Sequence, residues 1–419
     1  MGQGRQPIVT ESDGEDDEMA QEEHGGTAAR IARGLSTQTA LTFVILLGFV
    51  SLFGDMVYEG ARSITGPYLA VLGASAAAVG IVAGFGELVG YGLRLVSGYI
   101  SDRTQQYWPI TLLGYGLTVV AVPLLAVAGR WELAALLIIL ERTGKAIRTP
   151  ARDAMLSHAT AKMGRGWGFG IHEALDQMGA TVGALFVAGA LAAGSSYQTG
   201  FAALLVPGVL ALATLVAARL LYPTPHELEA ATPPLATQGF PRAFWLYLAA
   251  VALVAAGYAD FPLIAFHFQQ AATVRGSLIP LYFAVAMATD ALAALLFGRL
   301  FDRLGLGILM VVSLLSALFA PLVFLGGAPL ALVGVALWGV GLGAQESIMR
   351  AAIAPMVATQ RRGTAYGIFN TGYGLFWFLG SALMGALYDV SLPALVIFSS
   401  ALQLASVPLL LWVSRAAGR

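Results

Sequence analysis

The 419-residue chain has no cysteine, only five histidines and few charged residues. The missing thiols exclude disulfide bonds and thiolate metal sites, and the scattered histidines form no metal-binding tract. Charged residues make up 11% of the chain, whereas a soluble domain carries about 25%. No Gly-x-x-x-x-Gly-Lys-Ser/Thr sequence is present, which argues against ATP binding through a phosphate loop. We therefore expect no cofactor, no metal site and no water-facing domain surface.

Long apolar runs fill most of the chain, because 58% of its residues are hydrophobic and its mean hydropathy is +0.75. Runs of about 20 apolar residues need lipid around them, which predicts a polytopic membrane protein. The runs predict twelve spans, at residues 38–58, 75–100, 108–128, 132–149, 167–193, 199–221, 243–264, 276–300, 306–326, 329–351, 363–387 and 392–413.

Two polar segments divide the chain. Residues 1–36 are acidic and begin without the basic stretch of a signal peptide, so we expect a disordered cytoplasmic tail. Residues 223–241 are rich in proline and turn residues and fall near the midpoint, which predicts a cytoplasmic linker. The predicted domains are therefore one six-helix bundle at 37–222 and a second at 242–419.

The distribution of lysine and arginine predicts the orientation. With both termini on the cytoplasmic side, 18 of the 23 basic residues fall in cytoplasmic segments or toward the cytoplasmic ends of spans, and three fall in external loops. Cytoplasmic loops of membrane proteins carry this excess of positive charge. We expect a multi-pass protein of the cytoplasmic membrane with both ends inside.

A short phrase occurs twice, two hundred residues apart, each time where an apolar run ends. Its shared residues are Gly98, Asp102 and Arg103 in the first copy, and Gly298, Asp302 and Arg303 in the second. A second pair of matching segments, 165–171 and 362–368, opens the predicted spans five and eleven. Repeats in consistent order indicate two similar membrane-embedded halves, as in many secondary transporters.

These phrases resemble the signature of the major facilitator superfamily, and segments 144–154 and 361–370 are similar to motifs of one prokaryotic branch. The resemblance implies an all-α membrane protein, with twelve transmembrane helices in two six-helix bundles related by pseudo-two-fold symmetry. The family's Gly and basic pair do not follow the first copy, where Thr104 and Gln105 stand instead. Ala184 stands where drug–proton antiporters often have the Pro of a Gly-Pro pair, which weakens that assignment.

The repeated phrase predicts a pair of latches at the cytoplasmic surface. Gly98 and Gly298 lack a side chain, which would allow close helix contact. Asp102 would dock on the N-terminus of helix eleven and Asp302 on that of helix five, because a carboxylate is stabilised by the helix dipole there. The alternative is that the Asp-Arg pairs only mark the membrane interface.

Charged residues inside the spans are the candidates for function, because each costs at least about 2.5–3.5 kcal/mol at bilayer depth. Helical spacing places Glu87, Tyr91 and Arg94 on one face of helix two. Glu173 and Asp176 share a face of helix five, where two close carboxylates favour a shared proton. The predicted proton-coupling or cavity residues are Glu87, Tyr91, Arg94, Glu173, Asp176 and Asp290. The alternative is a static ion-pair network.

Two further groups are predicted. Asp55 and Asp260 stand near the ends of helices one and seven, where they would form a gate or a cation site, or merely solvate helix ends. Pairing between the bundles is predicted for residues of helices four and ten, namely Glu141, Lys145, Arg148, Arg152, Asp153, Glu346 and Arg350. His158, His172, Asp153 and Asp176 match no hydrolase or zinc pattern, so we expect no enzyme.

The resemblance and the excess of interior acids predict a proton-coupled secondary transporter that works by alternating access. Acid-rich chemistry favours export of a cationic or amphipathic solute. The alternatives are uptake of a small anion at Arg94, Arg142 and Arg148, divalent-metal transport through Asp55 and Asp260, or a transceptor or assembly factor that moves no solute. The expected partners are a small-molecule solute, protons and the lipid bilayer, with a monomeric chain and no nucleic acid.

Overall fold

The computed structural model describes residues 37–160, 165–194, 196–223, 240–353, 356–357 and 362–417. Within these ranges the regular secondary structure is helical, so the predicted all-α fold is confirmed. The predicted tail at 1–36 and most of the predicted linker at 223–241 lie outside the described residues.

The described residues form helical spans that we number α1 to α12, and three of them are broken into two segments. Ten of the spans are long and apolar enough to cross a membrane by length and composition, and the other two are α4 and α11. The spans are α1 (Thr37–Val71), α2 (Ala76–Thr104), α3 (Tyr107–Leu124), α4 (Trp131–Thr160), α5 (Arg165–Ala192), α6 (Tyr197–Ala203 and Leu205–Leu221), α7 (Arg242–Ala256 and Phe261–Gln270), α8 (Ile279–Leu304), α9 (Gly307–Ser316 and Phe319–Phe324), α10 (Ala328–Ala351), α11 (Arg362–Val390) and α12 (Leu392–Ala417).

The spans run alternately up and down, and we call the end at which α1 begins the lower end and the other the upper end. The N-terminal half consists of α1–α6 and the C-terminal half of α7–α12. Among the described residues, the two halves meet mainly along the helix pairs α1 with α7, α2 with α11 and α5 with α8. The lower end is the one that the positive-inside rule predicts to be cytoplasmic.

Helix α1 is longer than predicted. The sequence interpretation ended it at residue 58, after the acidic Asp55, and counted Arg62 in an external loop. The helix instead continues to Val71, and Asp55, Glu59 and Arg62 are buried in its middle. Charges in the middle of a membrane helix are tolerated where they pair with charges of neighbouring helices, and these three have such partners.

Helix α7 is broken just above its middle, at residues 257–260. Pro262 opens the second segment, where a missing amide hydrogen costs nothing. Asp260 occupies the N-cap position but its carboxylate makes no cap hydrogen bond. The break therefore leaves a fully buried carboxylate turned away from its own helix, at the boundary between the two halves.

Close backbone contacts join the halves toward the upper end. A Cβ atom on Gly66 of α1 would overlap the carbonyl oxygen of Pro262 in α7. Likewise, a Cβ atom on Gly80 of α2 would overlap the carbonyl oxygen of Ser381 in α11. Glycine at both positions permits an approach that any side chain would block. The upper end of the molecule is therefore closed at these two helix crossings.

Candidate functional site

A row of polar pairs joins α1 to α4 inside the N-terminal half, and we call it the α1–α4 ladder. The helices run in opposite directions, so acids spaced by four residues on α1 face bases spaced by three or four on α4. From the upper to the lower end, the pairs are Glu59 with Lys145 (3.9 Å), Asp55 with Arg148 (3.5 Å) and Ser51 with Arg152 (2.8 Å).

Two tyrosine rings add cation–π contacts to the ladder. The Nζ of Lys145 lies 3.3 Å from the ring centroid of Tyr58. The guanidinium of Arg148 lies 4.3 Å from the ring centroid of Tyr115 and also donates to Thr118 at 2.9 Å. Such contacts are worth about 0.5–2 kcal/mol, the larger value applying where water is excluded. The ladder cations are therefore held by several partners each.

Arg62 is the residue of α1 that reaches across to the C-terminal half. Its Nη2 lies 2.7 Å from the Oδ1 of Asp260, which is completely buried. The same guanidinium lies 3.5 Å from Glu59 and 3.9 Å from Glu87. Glu87 is in turn 3.1 Å from Arg142 of α4. One arginine thus connects the contact between the halves to carboxylates of α1 and α2.

A second cluster lies near the lower end of the ladder, between α1, α4 and α5. Arg152 pairs with Asp153 at 2.9 Å and lies 3.8 Å from Asp176. The His172 ring lies 2.8 Å from the hydroxyl of Ser51 and 3.8 Å from Asp176. Serine, histidine and aspartate thus come together, but Ser51 is fully buried and accepts a hydrogen bond from Arg152. This arrangement holds helices together and does not present a nucleophile to a substrate.

Three carboxylates from α5, α8 and α10 form the acidic part of the region between the halves. Glu173 and Glu346 are exposed although they lie within their helices, whereas Asp290 is only 1% exposed. If all three were ionised, their negative charges would repel one another. The Oδ1 of Asp290 has no hydrogen-bond partner among the described residues and packs against Gly343, where a Cβ atom would lie 2.6 Å away.

A pocket lies between the middle of α2 and the lower halves of α10 and α11, and we call it the aromatic pocket. Its lining residues are Tyr91, Gln345, Glu346, Phe369, Asn370 and Tyr373. Tyr91 meets Tyr373 edge to face at 5.3 Å, and Arg94 lies 5.0 Å from the Tyr91 ring centroid. Tyr91 comes from the N-terminal half and the other lining residues from the C-terminal half. The pocket therefore spans the boundary that alternating access would move.

The structure places Asp55 and Asp260 with separate partners, Arg148 for the first and Arg62 for the second. A gate or cation site at these two residues stays a prediction. The predicted pairing between the bundles needs correction. The bases Lys145, Arg148 and Arg152 were expected to pair between the bundles. Their ion-pair partners instead lie in the N-terminal half, on α1, α4 and α5. The same is true of Glu141, which lies 3.8 Å from its neighbour Arg142. The side chain of Arg350 lies outside the described part.

The repeated phrase lies at the lower end, as expected. Asp102 is exposed at the end of α2, and Arg103 donates to Tyr99 at 2.7 Å. A Cβ atom on Gly98 would meet Pro150 at 3.5 Å, whereas one on Gly298 would meet no described atom within 4 Å. Close helix packing at Gly298 therefore stays a prediction. Arg303 is exposed, and the side chain of Asp302 lies outside the described residues, so the latches stay predictions.

The sequence interpretation missed two residues at the contact between the halves. Arg62 continues the helical face of Asp55 and Glu59, a spacing of seven and three residues that could have revealed it. Asp389, near the upper end of α11, accepts hydrogen bonds from the first amides of α2, at 3.2 Å from Ala76 and 2.9 Å from Ala77. Its partners are more than 300 residues away, so no local signal pointed to it.

Within the described residues, no group of three or more His, Cys, Asp or Glu side chains is arranged to hold a metal ion. The interior acids are instead distributed along the ladder, the lower cluster and the region between the halves. Most of them have an arginine or lysine within 4 Å. The chemistry that this arrangement offers is the making and breaking of charge pairs.

Comparisons with known proteins show which family has this fold. The family model of the Major Facilitator Superfamily matches residues 35–271 and 246–418. An uncharacterized protein of Mycobacterium tuberculosis is 44% identical over 383 residues, which cover 90% of this chain and 94% of that protein. An uncharacterized MFS-type transporter of Methanocaldococcus jannaschii is 26% identical over 386 residues, covering 88% and 94%.

Solved structures show the same architecture. A peptide transporter POT in complex with sulfate superposes with a TM-score of 0.73, at 16% identity, over 92% of this chain and 99% of that one. The nucleoside transporter NupG gives a TM-score of 0.67, at 13% identity, over 90% and 98%. Such low identity shows the fold and leaves the solute open. With the family match over nearly the whole chain, the protein belongs to the major facilitator superfamily of membrane transporters.

Proposed function

We propose that this transporter couples proton movement to the export of a cationic or amphipathic solute across the cytoplasmic membrane. The observation that carries the proposal is Asp290, a carboxylate that is 1% exposed in the middle of α8. Among the described residues it has no ion-pair partner, and its Oδ1 accepts no hydrogen bond. A charge held in this way costs several kcal/mol, so the side chain carries a proton in this state.

Arg62 and Asp260 form a charge pair that opening of the upper end must break. The two residues belong to different halves, so opening the upper end separates a buried pair joined at 2.7 Å. An uncompensated buried charge costs about 3–5 kcal/mol. The pair therefore stabilises the closed upper end, and Arg62 keeps Glu59 and Glu87 of its own half as partners when that end opens.

The balance of interior charge favours a cationic solute. Arg142 and Arg148 are 4% and 1% exposed and are paired with Glu87 and Asp55, so neither offers a free guanidinium to an anion. The side chains that reach open space in the region between the halves include the acids Glu173 and Glu346. A cation entering there meets negative charge, which supports cation export over the alternative of anion uptake.

The test is transport in proteoliposomes under an imposed pH gradient, with ethidium as the probe cation. We expect ethidium to move against the proton gradient in the unmodified protein. Asp290→Asn removes the titrating carboxyl and should reduce the rate to that measured without a gradient. Glu132→Gln, the same kind of change at an exposed upper-end acid, is the matched control and should leave the rate unchanged.

Two results would count against the proposal. Gradient-driven ethidium transport that persists in Asp290→Asn would remove Asp290 from the coupling. Absence of ethidium transport by the unmodified protein under both polarities of the gradient would contradict export of a cation. Folding of each variant is checked by its thermal unfolding before flux is compared.

A further inference from the structure

Two tryptophans and two arginines lie together at the lower end of the C-terminal half, on the outer surface of α7 and α12. We call this group the Arg–Trp surface, and it consists of Arg242 and Trp245 of α7 and Trp412 and Arg415 of α12. Residues three apart on a helix share a face, so each tryptophan lies beside an arginine of its own helix. The guanidinium of Arg242 also lies 5.5 Å from the ring centroid of Trp412, and the surface therefore spans both helices.

Both tryptophan rings of this surface are exposed. Trp245 and Trp412 are 50% and 51% exposed, whereas Trp108, Trp338 and Trp377 are 5% exposed or less. Tryptophan near the end of a membrane helix lies at the level of the lipid headgroups, because its ring is apolar and its N–H group is polar. The Arg–Trp surface therefore lies in the headgroup layer, where its neighbours are lipid molecules.

The positive charge of this surface is not balanced by acids in the described part of the surrounding helices. The first segment of α7 and the whole of α12 contain no Asp or Glu. Helices α9 and α11 pack against α12, and their lower segments, 307–316 and 362–376, contain none either. Basic pockets between membrane helices bind the headgroups of anionic lipids. Charge complementarity therefore favours an anionic lipid over a zwitterionic one.

Arg242 is placed to donate hydrogen bonds to a phosphate group. A guanidinium that lies over an aromatic ring is held in position, while its N–H groups remain available at its edge. Arg242 is also the first residue of α7, and the N-cap residue before it, Pro241, makes no side-chain cap hydrogen bond. The free amides and the dipole of a helix N-terminus both favour phosphate. The start of α7 therefore offers charge and hydrogen-bond donors to one phosphate.

Apolar side chains continue the surface toward the middle of the membrane. Leu404 and Leu411 of α12 are 48% and 40% exposed, and Ala249 of α7 is exposed as well. Helical spacing places Ala249 about one turn deeper than Trp245, and Leu404 about two turns deeper than Trp412. An acyl chain joined to a phosphate at the arginines would lie along these side chains.

We propose that the Arg–Trp surface binds an anionic glycerophospholipid of the leaflet at the lower end, such as phosphatidylglycerol. The lipid phosphate accepts hydrogen bonds from Arg242 and Arg415, and the glycerol region lies against the rings of Trp245 and Trp412. An acyl chain follows the exposed leucines of α12. The site is separate from the region between the halves, so it depends neither on the solute nor on proton coupling.

The experiment measures tryptophan fluorescence of the full chain in phosphatidylcholine vesicles that contain a small fraction of phosphatidylglycerol. Bromine on an acyl chain quenches a tryptophan that the chain contacts. The same small fraction of lipid is brominated either as phosphatidylglycerol or as phosphatidylcholine, and the ratio of the two quenching values gives the enrichment of phosphatidylglycerol at the rings. Trp131→Phe and Trp167→Phe are included in every protein, so that the remaining tryptophans are those of the surface and the three buried ones.

The arginines set the expected enrichment. A basic residue close to an anionic lipid raises the affinity about fivefold, so the two arginines together should enrich phosphatidylglycerol about 25-fold. Arg242→Gln should leave about fivefold enrichment, and Arg242→Gln with Arg415→Gln should leave none. Arg219→Gln is the matched control, because Arg219 is an exposed arginine in the last turn of α6, and it should leave the enrichment unchanged.

Four results would overturn the proposal. The first is equal quenching by the two brominated lipids in the protein with both arginines. The second is enrichment that survives the double arginine variant. The third is an equal loss in Arg219→Gln and Arg242→Gln, which would show an effect of net charge rather than of a site. The fourth is loss of the enrichment when inorganic phosphate is added in excess, which would assign the surface to free phosphate instead of lipid.

Discussion

Asp389 gives the sharpest test of how the two halves are held together at the upper end. Its carboxylate, on α11 of the C-terminal half, accepts from the backbone amides of Ala76 and Ala77, which begin α2 of the N-terminal half. The amides of a first helical turn have no partner within their own helix. Asp389→Ala removes the acceptor and the negative charge from this helix N-terminus.

The size of the effect follows from the two contributions of the carboxylate. A side-chain cap on first-turn amides contributes about 1 kcal/mol, and a negative charge at a helix N-terminus about 0.3–1 kcal/mol at an exposed site. Asp389 is exposed, so the smaller values apply. Their sum, about 1–2 kcal/mol, changes a population ratio by a factor of about 5–30. The ratio of molecules with a closed upper end to molecules with an open one should therefore fall by this factor.

The assay is the distance distribution between spin labels at the upper end of each half. The chain has no cysteine, so Arg130→Cys and Gly327→Cys carry the only labels. We expect Asp389→Ala to increase the long-distance population about 5–30-fold relative to the short one. Asp389→Asn, which keeps an acceptor oxygen without the charge, should lie between.

Glu132→Ala removes another exposed acid at the upper end and serves as the control. The reasoning is refuted if Asp389→Ala and Glu132→Ala give the same distribution as the unmodified protein. It is also refuted if Asp389→Ala shortens the distance, since loss of a bond between the halves cannot close them.

Three further predictions concern the same contact and the ladder. Arg62→Leu leaves the buried carboxylate of Asp260 unpaired and should lower the free energy of unfolding by about 3–5 kcal/mol, measured by thermal unfolding. The double variant Arg62→Leu with Asp260→Leu should recover most of the lost stability. Gly66→Ala places a methyl group against the backbone of α7 and should shift the spin-label distances toward the open upper end, whereas Gly116→Ala, with open space around it, should not. Arg148→Met breaks the pair with Asp55 of α1 and should lower the free energy of unfolding by about 3–5 kcal/mol in the same measurement. An unchanged unfolding midpoint would show that this pair does not contribute to stability.

The sequence was sufficient to predict the class of fold and the order of the spans, because apolar runs of membrane length are a strong signal. It misplaced the end of α1 by 13 residues, between 58 and Val71. The reason is physical, because charges normally end a membrane span. Only the facing charges of α2, α4 and α7 show that Asp55, Glu59 and Arg62 belong inside this one. Pairings of this kind depend on helix packing, which a single sequence does not specify.

The candidate site was predictable in part for similar reasons. The spacing of Glu87, Tyr91 and Arg94 indicated a common helix face, and the structure brings Tyr91 and Arg94 into contact. The partners of these residues come from distant segments, such as Arg142 for Glu87 and Tyr373 for Tyr91. Helical periodicity states which side chains share a face but not which neighbouring helix covers that face.

The α1–α4 ladder has a consequence for how the chain enters the membrane during synthesis. When α1 leaves the ribosome, α4 has not been made, so Asp55 has no basic partner, and Glu59 and Arg62 have only each other. Each would cost about 2.5–3.5 kcal/mol near the centre of a lone inserted helix. Stable integration of α1 therefore has to wait for α4, so that the first four helices enter the bilayer as one assembly. A truncated chain that ends after α3 should fail to integrate α1, although that helix is as apolar as its neighbours over most of its length.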